Sequence, residues 1–136
     1  MNYSIEHKPP TAEEFCALRA KVGWGVTDPV MAKTSLDNSL FHVSVRHDTT
    51  IIGMGRVIGD GVMFFYLQDI VVDPAHQQQG VGHAIMLAIE DYLALTVKKG
   101  ATIALLSAQG KEHFYSRYGY LVRSGSQLGQ GMCKFI

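Results

Sequence analysis

Long apolar runs are missing from this sequence. No stretch approaches the roughly 18–20 residues that a membrane helix needs, and the first ten residues, which include Glu6, His7 and two prolines, hold no apolar core of a secretory leader. Neither a membrane span nor a secretory start is therefore expected. Cysteine is scarce: Cys16 and Cys133 stand far apart and read as free thiols of a cytoplasmic protein, not as a disulfide framework. Net charge is missing as well. Twelve Lys and Arg balance twelve Asp and Glu, which leaves no overall field to draw in nucleic acid or an anionic membrane, so any anion has to be bound locally. The sequence also has no internal repeat and no low-complexity tract.

Several catalytic signatures are absent too. His7, His42, His47, His76, His83 and His113 form no His-Glu-x-x-His string and meet no Cys-x-x-Cys pair, so no metal is expected. There is no Walker loop and no Gly-x-Ser-x-Gly elbow. Cys16, inside a predicted amphipathic helix, reads as a small core residue. Gly80-Val81-Gly82 lacks the third glycine of a dinucleotide fingerprint, with Ile85 in its place.

What is present is apolar content. Of the 136 residues, 47% are hydrophobic and 18% charged, which suits a single domain over residues 1–136 that buries about two-thirds of its unfolded surface. Thr11 with Glu14 forms a capping-box start, followed by Phe15, Leu18 and Val22 at helical spacing. Asp28-Pro29 opens a second short helix near Val30 to Lys33. Between them, Gly23-Trp24-Gly25 predicts a loop with Trp24 as a packing anchor. From Leu40 the period becomes two: Phe41, Val43 and Val45 mark a strand, and Ile51 to Val57 and Val62 to Val72 mark two more, which predicts an antiparallel meander. Gly53-Met54-Gly55 falls inside that pattern and predicts a bulge or close packing.

Val81, Ala84, Ile85, Ala88, Tyr92 and Leu95 mark one face of a long helix ending before Gly100. Thr102 to Leu106 then reads as a buried strand parallel to the one before the helix. Lys111 to Tyr118 predicts a short helix, and Tyr120 to Arg123 and Met132 to Ile136 predict closing strands. The expected fold class is α+β, or mixed α/β: a central mixed, mostly antiparallel sheet with flanking helices.

The chemistry concentrates where the third meander strand passes into the long helix. The helix start at Gly80 and Gly82 holds no acidic residue, so its amides and the positive end of its dipole can face an anion, worth about 0.3–2 kcal/mol.

Gln77-Gln78-Gln79-Gly80-Val81-Gly82, after Ile70-Val71-Val72-Asp73-Pro74, resembles the acetyl-coenzyme A motif of the GNAT-type N-acetyltransferases. Phe114-Tyr115-Ser116-Arg117-Tyr118-Gly119-Tyr120 is similar to that family's C-terminal aromatic string. The resemblance covers nearly the whole chain and implies a GNAT-like fold with a splayed parallel strand pair. It implies that Ile70, Val71 and Val72 pair with the pantetheine arm, that Gln78, Gln79, Gly80, Val81, Gly82 and His83 cradle the pyrophosphate, and that Gln77 shapes the loop. It further implies that Tyr115 protonates the leaving thiolate. One departure is Ala108, which stands where many members carry asparagine.

For the amine's proton, Asp69 is the first candidate base, with Glu112 or a water relay through Gln68 as alternatives, and an ion pair with Arg56 is the structural alternative for Asp69. The implied activity is direct acetyl transfer from acetyl-coenzyme A to a primary amine of a small molecule. An acetyl-coenzyme A sensor, a protein-modifying acetyltransferase and a bare interaction domain are the alternatives, and the apolar Met132 to Ile136 segment points to a homodimer.

Overall fold

The computed structural model describes residues 2–136. They fall into two compact units, one ending at Ile103 and the other spanning Ala104–Ile136. Local capping chemistry starts the first two helices as the sequence predicts. Thr11 Oγ1 accepts from Glu14 N at 3.1 Å while Thr11 N donates to Glu14 Oε1 at 2.9 Å, opening α1 (Ala12–Lys21). Asp28 accepts from Met31 N at 2.9 Å and Pro29 takes the first helical position of α2 (Pro29–Asp37).

The sheet has five strands in sequential order: β1 (Ser4–Glu6), β2 (Phe41–His47), β3 (Thr50–Gly59), β4 (Phe64–Val72) and β5 (Thr102–Leu105). β1 through β4 run antiparallel, and β5, reached through α3 (Val81–Thr96), lies parallel to β4. The predicted meander is β2–β4. β1, a three-residue edge strand, has too short a pattern to read from sequence. β4 starts two residues later than the apolar pattern predicts, because the Asp60 carboxylate accepts from the amides of Val62, Met63 and Phe64 at 2.8, 2.9 and 3.0 Å and holds them in the turn.

The sheet is covered on both sides, and the alternation of β3 decides which residue faces which cover. Met54 points toward α1 and α2, where it joins Phe15, Leu18, Ala32, Leu36 and Val71. Gly53 and Gly55 face α3: a Cβ at Gly53 would lie 2.9 Å from Val81 Cγ1, and one at Gly55 would lie 2.8 Å from Ile85 Cγ2. Close packing against α3 is what these glycines provide, and a β3 bulge adjoins them: Gly53 pairs with Val45 and Ile51 with Arg46, which leaves Ile52 as the extra residue.

The face of α3 differs from the predicted one. Val81, Ile85, Met86, Ile89 and Leu93 are buried, whereas Leu95 is 91% exposed. Apolar residues surround most of this helix, so two stripes fit a 3.6 period. The second stripe includes Tyr92, whose ring stacks on Phe41 at 4.5 Å.

The second unit contains α4 (Glu112–Ser116), shorter than the predicted 111–118 helix. The predicted closing strands Tyr120 to Arg123 and Met132 to Ile136 do not form: neither segment is in a strand, and Leu121 and Met132 are 89% and 92% exposed. A short apolar, strand-prone segment makes a strand only where a sheet edge receives it, and Gly125, Gly129 and Gly131 between the two segments favour irregular chain.

Candidate active site

The site begins at an irregularity in β4. Met54 pairs with Val71 and Arg56 with Gln68, so Asp69 and Ile70 together stand opposite Gly55. This is a bulge, and Asp69 sits in it with φ 56°, a left-handed conformation that Asp tolerates better than most residues. The Asp69 side chain turns inward and is 3% exposed. Arg56 Nε donates to Asp69 Oδ2 at 2.9 Å, Arg19 Nη1 donates to Oδ1, and Gln68 Nε2 lies 3.3 Å from Oδ1. Arg56 also donates to Ser35 O at 3.0 Å, Ser35 Oγ at 3.0 Å and Ser39 Oγ at 3.1 Å. The ion pair anticipated between Asp69 and Arg56 is thus present, with a second guanidinium added. Both carboxylate oxygens are engaged, as a buried charge requires.

Beyond the bulge, Ile70, Val71 and Val72 run to the end of β4. Asp73 N donates to Ile52 O at 2.8 Å, and the Asp73 carboxylate accepts from Ala75 N at 2.9 Å and Lys21 Nζ at 2.8 Å. The hydrogen bond from Lys21 holds the Asp73 carboxyl below its ordinary range. This pins the strand end where the loop leaves it. Gln77 Nε2 donates to Val72 O at 3.2 Å, a bond that ties the loop back to the end of β4.

The loop then turns through two left-handed residues, Gln78 at φ 62° and Gly80 at φ 83°. Gly80 is the N-cap of α3, no side-chain hydrogen bond caps the helix, and its first turn has no acidic residue. A Cβ at Gly80 would meet nothing within 4 Å, so the space over the helix start is open. Val81 anchors this start from below, fully buried against Gly53. An uncapped amide terminus facing open space, with its dipole aimed outward and no carboxylate on the first turn, fits a diphosphate.

Tyr115 belongs to the second unit. It lies on α4, edge-on to Phe114 at 5.1 Å, and burial pushes its phenol up to about 12. Glu112 Oε1 accepts from Gly110 N at 3.0 Å, and Ala108 accepts from Lys111 N at 3.0 Å through its backbone. Among the described residues no group of three His, Cys, Asp or Glu is arranged to hold a metal ion, and no helix is long and apolar enough to cross a membrane.

A family profile described as "Acetyltransferase (GNAT) domain" matches residues 19–135. The chain belongs to the GNAT acetyltransferase family. Among curated relatives, the "GCN5-related N-acetyltransferase 1, chloroplastic" of Arabidopsis thaliana is 33% identical over 112 residues, 80% of this chain and 55% of that protein. An "Uncharacterized N-acetyltransferase ycf52-like" of Prochlorococcus marinus is 32% identical over 113 residues, 79% of this chain and 61% of that protein. The chain therefore spans a little over half the length of these relatives. A "Probable Acetyltransferase" from meticillin-resistant Staphylococcus aureus, solved as a crystal structure, superposes with a TM-score of 0.90 at 30% identity, covering 98% of this chain and 100% of that one.

In this GNAT chain the residues missed by sequence reasoning are Arg19, Lys21 and Ser35. Arg19 and Lys21 lie in the last turn of α1, where the helix dipole alone accounts for basic side chains. Their partners are 50 and 52 positions away, and no local pattern signals such pairs.

Proposed function

We propose that this chain is an acetyl-coenzyme A-dependent N-acetyltransferase acting on a primary amine, and that its two units work together as one domain for that purpose. The observation that carries the reading is the open, uncapped start of α3 at Gly80 following the Gln77-pinned loop. When bound, acetyl-coenzyme A supplies a thioester carbonyl open to attack by an amine, with a thiol as the leaving group. The main chain of Gln78 to His83 holds the diphosphate, and the backbone of Ile70 to Val72 holds the pantetheine arm.

Tyr115 gives its proton to the departing sulfur. In water a phenol near 10 is a weaker acid than a thiol near 8.5 by roughly 2 kcal/mol. Burial raises the Tyr115 phenol to about 12 and raises a thiolate formed away from water in the same sense. The phenol therefore stays protonated, hydrogen-bonds the sulfur as its charge develops and passes the proton to it as the carbon–sulfur bond breaks. An alkylamine near 10.4 must lose a proton first, at a cost of about 4 kcal/mol at pH 7.5. Asp69, with both oxygens on guanidinium groups, takes a bracing role at the bulge in this reading, and the proton passes to water beside Gln68. Charge balance over the chain supplies no field for a charged polypeptide, which favours a small amine as acceptor.

Leu121, Val122, Leu128, Met132, Phe135 and Ile136 expose apolar side chains, which supports a second copy of the chain as partner and hence a homodimer. Sedimentation at micromolar concentration is expected to give twice the monomer mass, and a monomer there contradicts the homodimer.

The test of the activity is thiol release from acetyl-coenzyme A across a panel of primary amines, paired with thermal unfolding. Coenzyme A at one hundred times its dissociation constant is expected to add about 2.7 kcal/mol. Stabilisation without thiol release in any amine indicates a sensor, and no stabilisation contradicts coenzyme binding.

A further inference from the structure

Arg19 occupies a place that the acetyltransfer chemistry leaves unexplained. It leaves the last turn of α1 and touches two parts of the chain at once. Nη1 reaches the buried Asp69 carboxylate at the β4 bulge, while Nε donates to Thr27 Oγ1 at 3.3 Å. Its guanidinium also lies 5.2 Å from the ring centre of Trp24 and 5.5 Å from that of Phe15. The loop from Gly23 to Thr27 is thereby held within one guanidinium's span of the bulge that leads into Ile70. Trp24, the single tryptophan of the chain, is 38% exposed in that loop, and residues 22–27 include no charged side chain. The charges that flank this segment are engaged elsewhere: Lys21 donates to the Asp73 carboxylate and Asp28 caps α2.

Resting on the acetyltransferase reading above, we propose that Arg19 is a positioning residue that seats the Gly23–Thr27 loop against the β4 bulge, with Trp24 as an apolar wall selecting amines that carry an aromatic or aliphatic body. A guanidinium suits this task because its planar fork serves Asp69 and Thr27 from different nitrogens while its face lies on an indole. An ammonium cannot do all three. Removing Arg19 leaves Asp69 still paired with Arg56, so the bulge keeps a neutral, hydrogen-bonded pair and the fold survives. Gly23 and Trp24 keep their backbone bonds to Ala20 O and Arg19 O at 3.1 and 3.0 Å, and the loop loses its side-chain tie to the bulge.

The experiment uses the full chain and the variants Arg19→Gln, Arg19→Lys and Thr27→Val, the last removing one hydrogen bond and no charge. Trp24 emission and its quenching by acrylamide are recorded without any amine, and 2-phenylethylamine and ethanolamine are compared as acceptors. Arg19→Gln is expected to raise the quenching constant and to raise KM for 2-phenylethylamine roughly tenfold or more, with kcat and coenzyme A affinity little changed. Thr27→Val shifts both in the same direction by less, and Arg19→Lys recovers part of the loss. The unaltered chain is expected to favour 2-phenylethylamine over ethanolamine.

Unchanged quenching in both Arg19→Gln and Thr27→Val overturns the seating role. A preference for ethanolamine overturns the apolar wall. If no amine releases thiol, it is the acetyltransferase reading that fails, and the quenching comparison still decides whether Arg19 seats the loop.

Discussion

Gly53 on β3 and Val81 at the first position of α3 touch so closely that a Cβ on the glycine would lie 2.9 Å from Val81 Cγ1. Val81 is β-branched and fully buried, so it cannot swing aside, and α3 must move instead. Gly53→Ala is expected to cost about 1–3 kcal/mol. It should also weaken coenzyme A binding, because the helix start that carries the amides is what shifts. Thermal unfolding with and without coenzyme A checks both effects.

The parts of this arrangement that could be read from sequence are those written in consecutive residues. Thr11 with Glu14 and Asp28 with Pro29 cap helices through contacts three residues apart, and the Gln77–Gly82 string carries its own turn chemistry. Arg19 and Asp69 meet only because α1 packs over β4, which no local pattern encodes. The buried face of α3 was ambiguous because Leu95 and Leu93 both fit an apolar helical period, and only the glycines of β3 select the Leu93 side. The closing strands do not form for a related reason: the apolar residues around Leu121 and Met132 state a preference for pairing and do not supply the partner.

Tyr115 makes a sharper prediction about proton transfer. Burial holds its phenol protonated up to about 12, so the acid form is present throughout the working range. Loss of activity through its ionisation therefore lies far on the alkaline side. Tyr115→Phe is expected to lower kcat about 10²-fold while leaving coenzyme A affinity within twofold. A kcat profile of the unaltered chain should show no tyrosine-dependent fall below about pH 10.

Glu14 gives a pH-dependent stability. Its hydrogen bond from Arg46 holds the carboxyl down to about 2, against 4.5 as its ordinary value. A carboxyl depressed by folding stabilises the protein above its unfolded value, and that stabilisation disappears as pH falls from about 4.5 towards 2. Glu14→Gln keeps a capping-box side chain but loses the charge. It is expected to be less stable by roughly 1–2 kcal/mol at pH 7, after allowing for solvent screening at this part-exposed pair. The difference from the unaltered chain should close by about pH 2, as read by chemical denaturation at stepped pH.

The most direct measurement is a calorimetric titration of coenzyme A into the unaltered chain, Gly80→Asn and Gly80→Asp. Asparagine and aspartate both accept the left-handed backbone at this position and differ in charge alone. An anion held at the start of α3 predicts binding to the unaltered chain and to Gly80→Asn, with Gly80→Asp weaker than Gly80→Asn by roughly tenfold. Absence of heat with the unaltered chain, or equal affinity for the two variants, contradicts a diphosphate held by the main chain around Gly80.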